Sequence, residues 1–113
     1  MLSACGTSIT RESLLKGMQE GTAPLIVDVR SRAEFDEGHI PGAMHVSFYS
    51  IGSGLSEAGI SNEDSIVLYC EHGPRASIAG FSLYLSGYHH VYALLGHMKG
   101  WRKNEYPIEV LTH

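Results

Sequence analysis

Ile66-Val67-Leu68-Tyr69-Cys70-Glu71-His72-Gly73-Pro74-Arg75-Ala76-Ser77 is the stretch from which the fold can be read. Its first four residues are apolar β-formers, the pattern of a strand buried on both faces. Beyond it Ile78, Phe81 and Leu85 recur at helical spacing. The Gly73-Pro74 pair between them marks a tight loop that opens into a helix. A cysteine is thereby carried to the end of a buried strand and set against a helix N-terminus. Unpaired N–H groups and the positive end of the helix dipole lie there, and both favour a thiolate and attract an anion. Arg75, in the last loop position, adds a fixed positive charge.

The same alternation extends in both directions. Ser8-Ile9 reads as a short strand, and Thr10 as the N-cap of a helix carrying Leu14, Leu15 and Met18 on one side and stopped near Gly21. Leu25-Ile26-Val27-Asp28-Val29 is a buried strand with one polar break. Ser31 and Glu34 form a capping box for a brief helix ended by Gly38, and Pro41-Gly42 turns the chain into a third strand, Ala43–Val46. Residues 50–64 read as a Ser- and Gly-rich loop around a short helix. A helix over Ala76–Ser86 capped by Gly87, a strand over Val91–Leu95 and a helix over Met98–Asn104 complete the chain. Strands alternating with helices predict right-handed crossovers and a parallel sheet covered on both faces, with ligands at the carboxyl ends of the strands. Cys70 stands at such an end.

The 113 residues suffice for one domain with a real core; residues 1–7 read as a loosely ordered N-terminal extension. A net charge of -4 argues against a nucleic-acid or anionic-membrane surface, and no apolar run is long enough to span a membrane. Two cysteines, Cys5 and Cys70, are not a disulfide framework, so a reduced, cytoplasmic setting is expected. Leu2-Ser3-Ala4-Cys5 matches a bacterial lipoprotein cleavage site, with only Met1 before it. A chance match is the expectation. The alternative is a sequence that begins inside a longer precursor, periplasmic or lipid-anchored.

Three blocks carry a resemblance. Asp28-Val29-Arg30 is followed by Glu34-Phe35 and Gly38-His39-Ile40-Pro41-Gly42-Ala43; Tyr69–Ser77 is similar to an active loop of the form C-x-x-G-x-R-[SA]; Gly87-Tyr88 is followed by Val91, Leu94, Gly96 and Trp101. In this order the chain resembles a single-domain rhodanese, a sulfurtransferase. The resemblance implies an α/β, three-layer fold with a five-stranded, mostly parallel sheet and helices on both faces. His97 stands where the family usually has a second glycine, and the segment before Ile66 is short and glycine-rich. Both departures are expected to affect local backbone and substrate shape, with neither touching the active loop.

For the chemistry, the resemblance implies that Cys70 attacks a sulfane sulfur donor such as thiosulfate, carries the sulfur as a persulfide, and passes it to a thiol or cyanide. The acceptor could also be a protein thiol. No cofactor is implied beyond that covalent intermediate. The residues suit these roles. A thiolate is the reactive form of cysteine, Gly73 permits a strained turn, and Pro74 loses nothing by lacking an N–H at a helix start. Arg75 is expected to hold the donor's oxygens, with Glu71, His72, Gly73, Pro74 and Ala76 forming the rest of the donor-binding loop. His72 either tunes the thiolate or simply faces solvent. Asp28 and Arg30 are supporting residues at the end of the neighbouring strand, with Arg30 paired to Glu34 or a nearby carboxylate. His39 is expected to satisfy backbone groups, Trp101 to sit in the core, and Cys5 to have no catalytic part. Seven histidines, including His89-His90, lack metal-site spacing, and no metal is expected.

Rival readings exist. A dual-specificity phosphatase, or more distantly an arsenate reductase, would need five residues between cysteine and arginine, whereas four separate Cys70 from Arg75. A non-catalytic binding module typically lacks the cysteine or the basic residue. A persulfide carrier dedicated to one protein acceptor has the same sequence signature as a general enzyme.

Overall fold

The computed structural model describes residues 7–111, and the statements that follow concern those residues. In chain order the elements are β1 (Ser8–Ile9), α1 (Arg11–Glu20), β2 (Leu25–Asp28), α2 (Arg32–Glu37) and β3 (Met44–His45). A short 3-10 turn (Phe48–Ser50) leads into α3 (Ile51–Glu57), then β4 (Ser65–Tyr69), α4 (Pro74–Leu85), β5 (His90–Leu94) and α5 (His97–Lys103). The strands form one sheet in the order β1-β5-β4-β2-β3, and every strand pairing is parallel. All carboxyl ends therefore lie along one edge. β4 is central, so whatever follows it is flanked by the residues that follow β2 on one side and β5 on the other.

Local signals account for the elements. Thr10 caps α1 by accepting the Ser13 N–H at 3.1 Å, and Gly21 ends it in the left-handed region. Ser31 and Glu34 make both halves of the capping box. The period of two along the strands then divides the core. Ile66, Leu68 and Cys70 join Val27, Val29 and Val91 beneath α3 and α4. Val67 and Tyr69 point the other way, to Leu14, Met98 and Trp101 of α1 and α5. Burying each large aliphatic side chain, Leu14, Leu55 or Leu83 for example, contributes about 1.5–3 kcal/mol. Trp101 is buried as expected, its indole N–H donating to Pro107 O at 2.7 Å. No described helix is long and apolar enough to cross a membrane.

Three expectations change. The helix after the loop starts at Pro74 rather than Ala76, so Arg75 belongs to its first turn. Its apolar spacing identified a helix but the wrong face: Ile78, Phe81 and Leu85 are 55%, 54% and 68% exposed, and Ala76, Ala79, Gly80 and Leu83 are buried. Small residues bring the helix close against the sheet, a contact that larger side chains at those positions would hold apart. Within the proposed extension, Thr7 is tied to the sheet, its carbonyl accepting the Ala93 N–H at 3.0 Å. Residues 1–6, and with them the Leu2–Cys5 reading, lie outside the described part.

Candidate active site

The even-odd alternation of β4 turns the Cys70 side chain to the α4 face of the sheet, where α4 begins. Gly73 N–H donates to Cys70 Sγ at 3.0 Å and Ala76 N–H at 3.4 Å. Both are orphan donors at the start of α4, so the helix terminus finds its partner in the sulfur. Gly73 has φ +136, a conformation that side chains rarely adopt, and Pro74 occupies the first turn of α4. Cys70 itself has no exposed surface.

Arg75 is held by Glu34 in a two-pronged pair, at 2.7 and 3.1 Å. Glu34 Oε1 also accepts the Ser31 N–H at 2.9 Å, so one carboxylate closes the α2 capping box and moors the first turn of α4. The Arg75 hydrogen bonds, aided by those of Ser31 and opposed by burial, hold the Glu34 carboxyl down at about 2. Its unfolded value is near 4.5, so the folded value is the lower of the two. The stabilisation is therefore fully present above pH 4.5 and is lost as pH falls toward 2. Glu34→Gln is expected to lower the urea midpoint at pH 6, with the gap from the unaltered chain closing as pH falls through that window. A gap that stays constant down to pH 2 would remove Glu34 from this role.

Of the two partners the sequence offered Arg30, Glu34 or a nearby carboxylate, the structure takes the second, Asp28. Its guanidinium, 3% exposed, is bound to Asp28 at 2.7–3.1 Å, to the Gly38 carbonyl at 2.6 Å and to Glu71 at 3.2 Å. Burial acts against the Arg30 charge, but the Asp28 hydrogen bond and charge outweigh it and raise its pKa. Glu71 in turn receives Arg102 from α5 at 2.8 and 3.0 Å, and that pairing lowers its pKa despite burial. Asp28, Arg30, Glu71 and Arg102 thus form a chain of alternating charge from the end of β2, across the loop, to α5. Glu71 anchors the loop through this chain, and its carboxylate is occupied. His72 is exposed. His39 Nδ1–H donates to Phe35 O at 2.7 Å and the ring stacks on the Phe35 ring, in keeping with the backbone role expected of it. His89 and His90 both face Glu63 at 3.5 and 3.8 Å, away from this edge.

The expectation that His97 leaves the active loop untouched is overturned. Cys70 N–H donates to His97 Nδ1 at 3.3 Å, and a Cβ at Gly73 would lie 3.3 Å from His97 Nε2. His97 also has φ 51, left-handed for a residue with a side chain. The departure at this position was visible in the sequence. What was not visible is that β5 pairs with β4, which places the residue after β5 beside the residue after β4. Arg102 was missed for the same reason.

Two recesses border the loop. One of about 540 Å³ is lined by Arg30, Glu34, Glu71, Arg102, Met98 and Ile108, among others. The other, about 180 Å³, is lined by Arg30, Ser31, Arg32, Ser47, Tyr49 and Arg75, with Phe48: three guanidinium groups and three hydroxyls without a carboxylate.

Comparison with known proteins agrees with this fold. The Rhodanese-like domain family model matches residues 10–104. The thiosulfate sulfurtransferase GlpE of Glaesserella parasuis serovar 5 is 30% identical over 104 residues, covering 92% of this chain and 94% of that protein. A sulfurtransferase of Allochromatium vinosum is 33% identical over 100 residues, covering 88% and 92%. The crystal structure of the Alr3790 protein from Anabaena sp. superposes with a TM-score of 0.80 at 28% identity, covering 91% of this chain and 82% of that one.

Proposed function

The chain belongs to the rhodanese-like domain family, and from that premise we propose that it is a sulfurtransferase in which Cys70 carries the sulfur. The observation that supports this most is the convergence of two helix-start N–H groups on the Cys70 sulfur itself. These donors stabilise negative charge on sulfur before attack and again when sulfur leaves.

The Cys70 thiolate attacks the outer sulfur of a donor such as thiosulfate. An S–S bond forms to Sγ, the sulfur–sulfonate bond breaks, and sulfite departs with the electron pair. A thiolate or cyanide then attacks the terminal sulfur of the persulfide, and the Cys70 thiolate leaves. Each half-reaction is a displacement, so the cycle is ping-pong, with no net redox change and no cofactor. Arg75 and the guanidinium-rich recess beside it suit the oxygens of an anionic donor. Glu34 limits how freely Arg75 turns to that task. The four-residue spacing from Cys70 to Arg75 supports sulfur over phosphate.

Adding thiosulfate without acceptor is the test. Sulfite release is expected to stop at one equivalent per chain and to resume on adding cyanide. Arg75→Ala is expected to raise the thiosulfate KM about tenfold, with the single-turnover maximum little changed, as fits the loss of one paired contact to the donor. No sulfite from thiosulfate, together with no added sulfur on Cys70 from other sulfane donors, would sink the reading. A KM unaffected by Arg75→Ala would remove Arg75 from donor binding.

A further inference from the structure

The active loop is gripped from α5. Met98 N–H donates to the Cys70 carbonyl at 3.0 Å and Lys99 N–H to the Glu71 carbonyl at 3.2 Å, so the loop satisfies orphan donors of the α5 start. Those are backbone contacts that almost any residues could make. The third contact is not: the Cys70 N–H is taken by the His97 side chain, at Nδ1. The same ring lies under Gly73, whose N–H is the shorter of the two donors to Sγ.

We propose that His97 is a positioning residue for Cys70: its neutral ring, protonated on Nε2, holds the Cys70 peptide and floors the loop at Gly73, keeping the loop N–H groups aimed at the sulfur. The inference rests on the reading of Cys70 as the nucleophile and names a further residue that serves it.

Three observations carry it. An Nδ1 that accepts a backbone N–H bears no proton, so the neutral ring carries its proton on Nε2. A charged ring would set N–H against N–H. Burial and the neighbouring His72 both lower the His97 pKa, which favours the neutral form. Finally, the backbone at His97 is left-handed, where glycine is at ease and a side chain is strained. A strained position that holds an imidazole against the nucleophile's own peptide has its explanation in what the ring does there.

That strain also makes the test decisive. His97→Gly eases the backbone while removing the ring, so a loss of function cannot be charged to a worse φ. The thiolate absorbance of Cys70 is followed against pH in the full chain, as the difference from the Cys70→Ser chain. In His97→Gly its midpoint is expected to rise by about one pH unit, the worth of one charge-assisted hydrogen bond to sulfur. His97→Asn, whose Oδ1 reaches the place of Nδ1, is expected to restore at least half of that shift. In the unaltered chain, ¹⁵N NMR of the ring at pH 7 is expected to find Nε2 protonated and Nδ1 bare, a result that does not depend on any variant folding. An unmoved midpoint in His97→Gly, an equal displacement in His97→Asn, or a protonated Nδ1 would each overturn the proposal. Midpoints that move as stated in a chain that releases no sulfite would leave His97 in its role and remove the sulfur-transfer reading instead.

Discussion

Replacing Cys70 with serine is expected to abolish sulfur transfer, by more than about a thousandfold, as removal of a covalent nucleophile does. The physical reason is the charge state and softness of the attacking atom. A serine hydroxyl is not ionised near neutral pH, and its oxygen is a poor nucleophile toward sulfane sulfur. The variant is also expected to fold. Serine Oγ occupies nearly the same place and can accept the Gly73 and Ala76 N–H groups that now point at Sγ, so the buried donors keep a partner. Two measurements check this. After incubation with thiosulfate, the intact mass of the unaltered chain should rise by one sulfur atom while that of Cys70→Ser stays unchanged. Thiocyanate production from thiosulfate and cyanide should vanish in parallel. A serine chain that gains the same mass would place the carrier elsewhere, with Cys5 the first residue to examine.

The second large effect is on stability. Asp28→Ala is expected to cost about 3–5 kcal/mol, the range for removing one partner of a buried ion pair. Asp28 has no exposed surface and Arg30 is 3% exposed, so water cannot replace the lost carboxylate. Arg30 would retain Glu71 and the Gly38 carbonyl but lose its two-pronged partner and the bond from its own N–H to Asp28 Oδ1 at 2.9 Å. Against a total stability of about 5–15 kcal/mol for a domain of this kind, that is a large share. Asp28→Asn retains one acceptor without the charge and should fall between the two. Urea unfolding at neutral pH measures both. A cost below about 1 kcal/mol for Asp28→Ala would show that Arg30 finds water or Glu71 sufficient, as exposed ion pairs do. Because Arg30 also holds Glu71, the variant should loosen the active loop before it unfolds the chain.

The strand–cysteine–loop–helix unit was legible because its signals are local. An apolar run, a Gly-Pro pair and a helical repeat each act within a few residues, and capping boxes such as Ser31–Glu34 do the same. The helical face of α4 was misread for a related reason. Spacing reports that a helix forms, but small residues such as Ala76, Ala79 and Gly80 give little hydrophobic signal even when they make the closest contact with the sheet. The Arg30–Asp28 pair is local and lay within the expectation, whereas the partners of Glu34 and Glu71 were not legible because they are far apart in sequence. Glu34 pairs with Arg75 and not with Arg30, although Arg30 is the nearer in the chain.

By itself, then, the sequence determined that a cysteine would sit at the carboxyl end of a buried parallel strand, against the start of a helix. It did so through periodicity, turn chemistry and capping, which are short-range. Which residues surround that cysteine was decided by the order of strands in the sheet. With β4 between β5 and β2, the loop is placed between His97 and Arg102 on one side and Arg30 on the other. Strand order is a long-range property of the packed sheet. No local pattern around Cys70, Arg30 or His97 encodes which edges meet, and so the neighbours of the sulfur emerge only when the tertiary structure is formed.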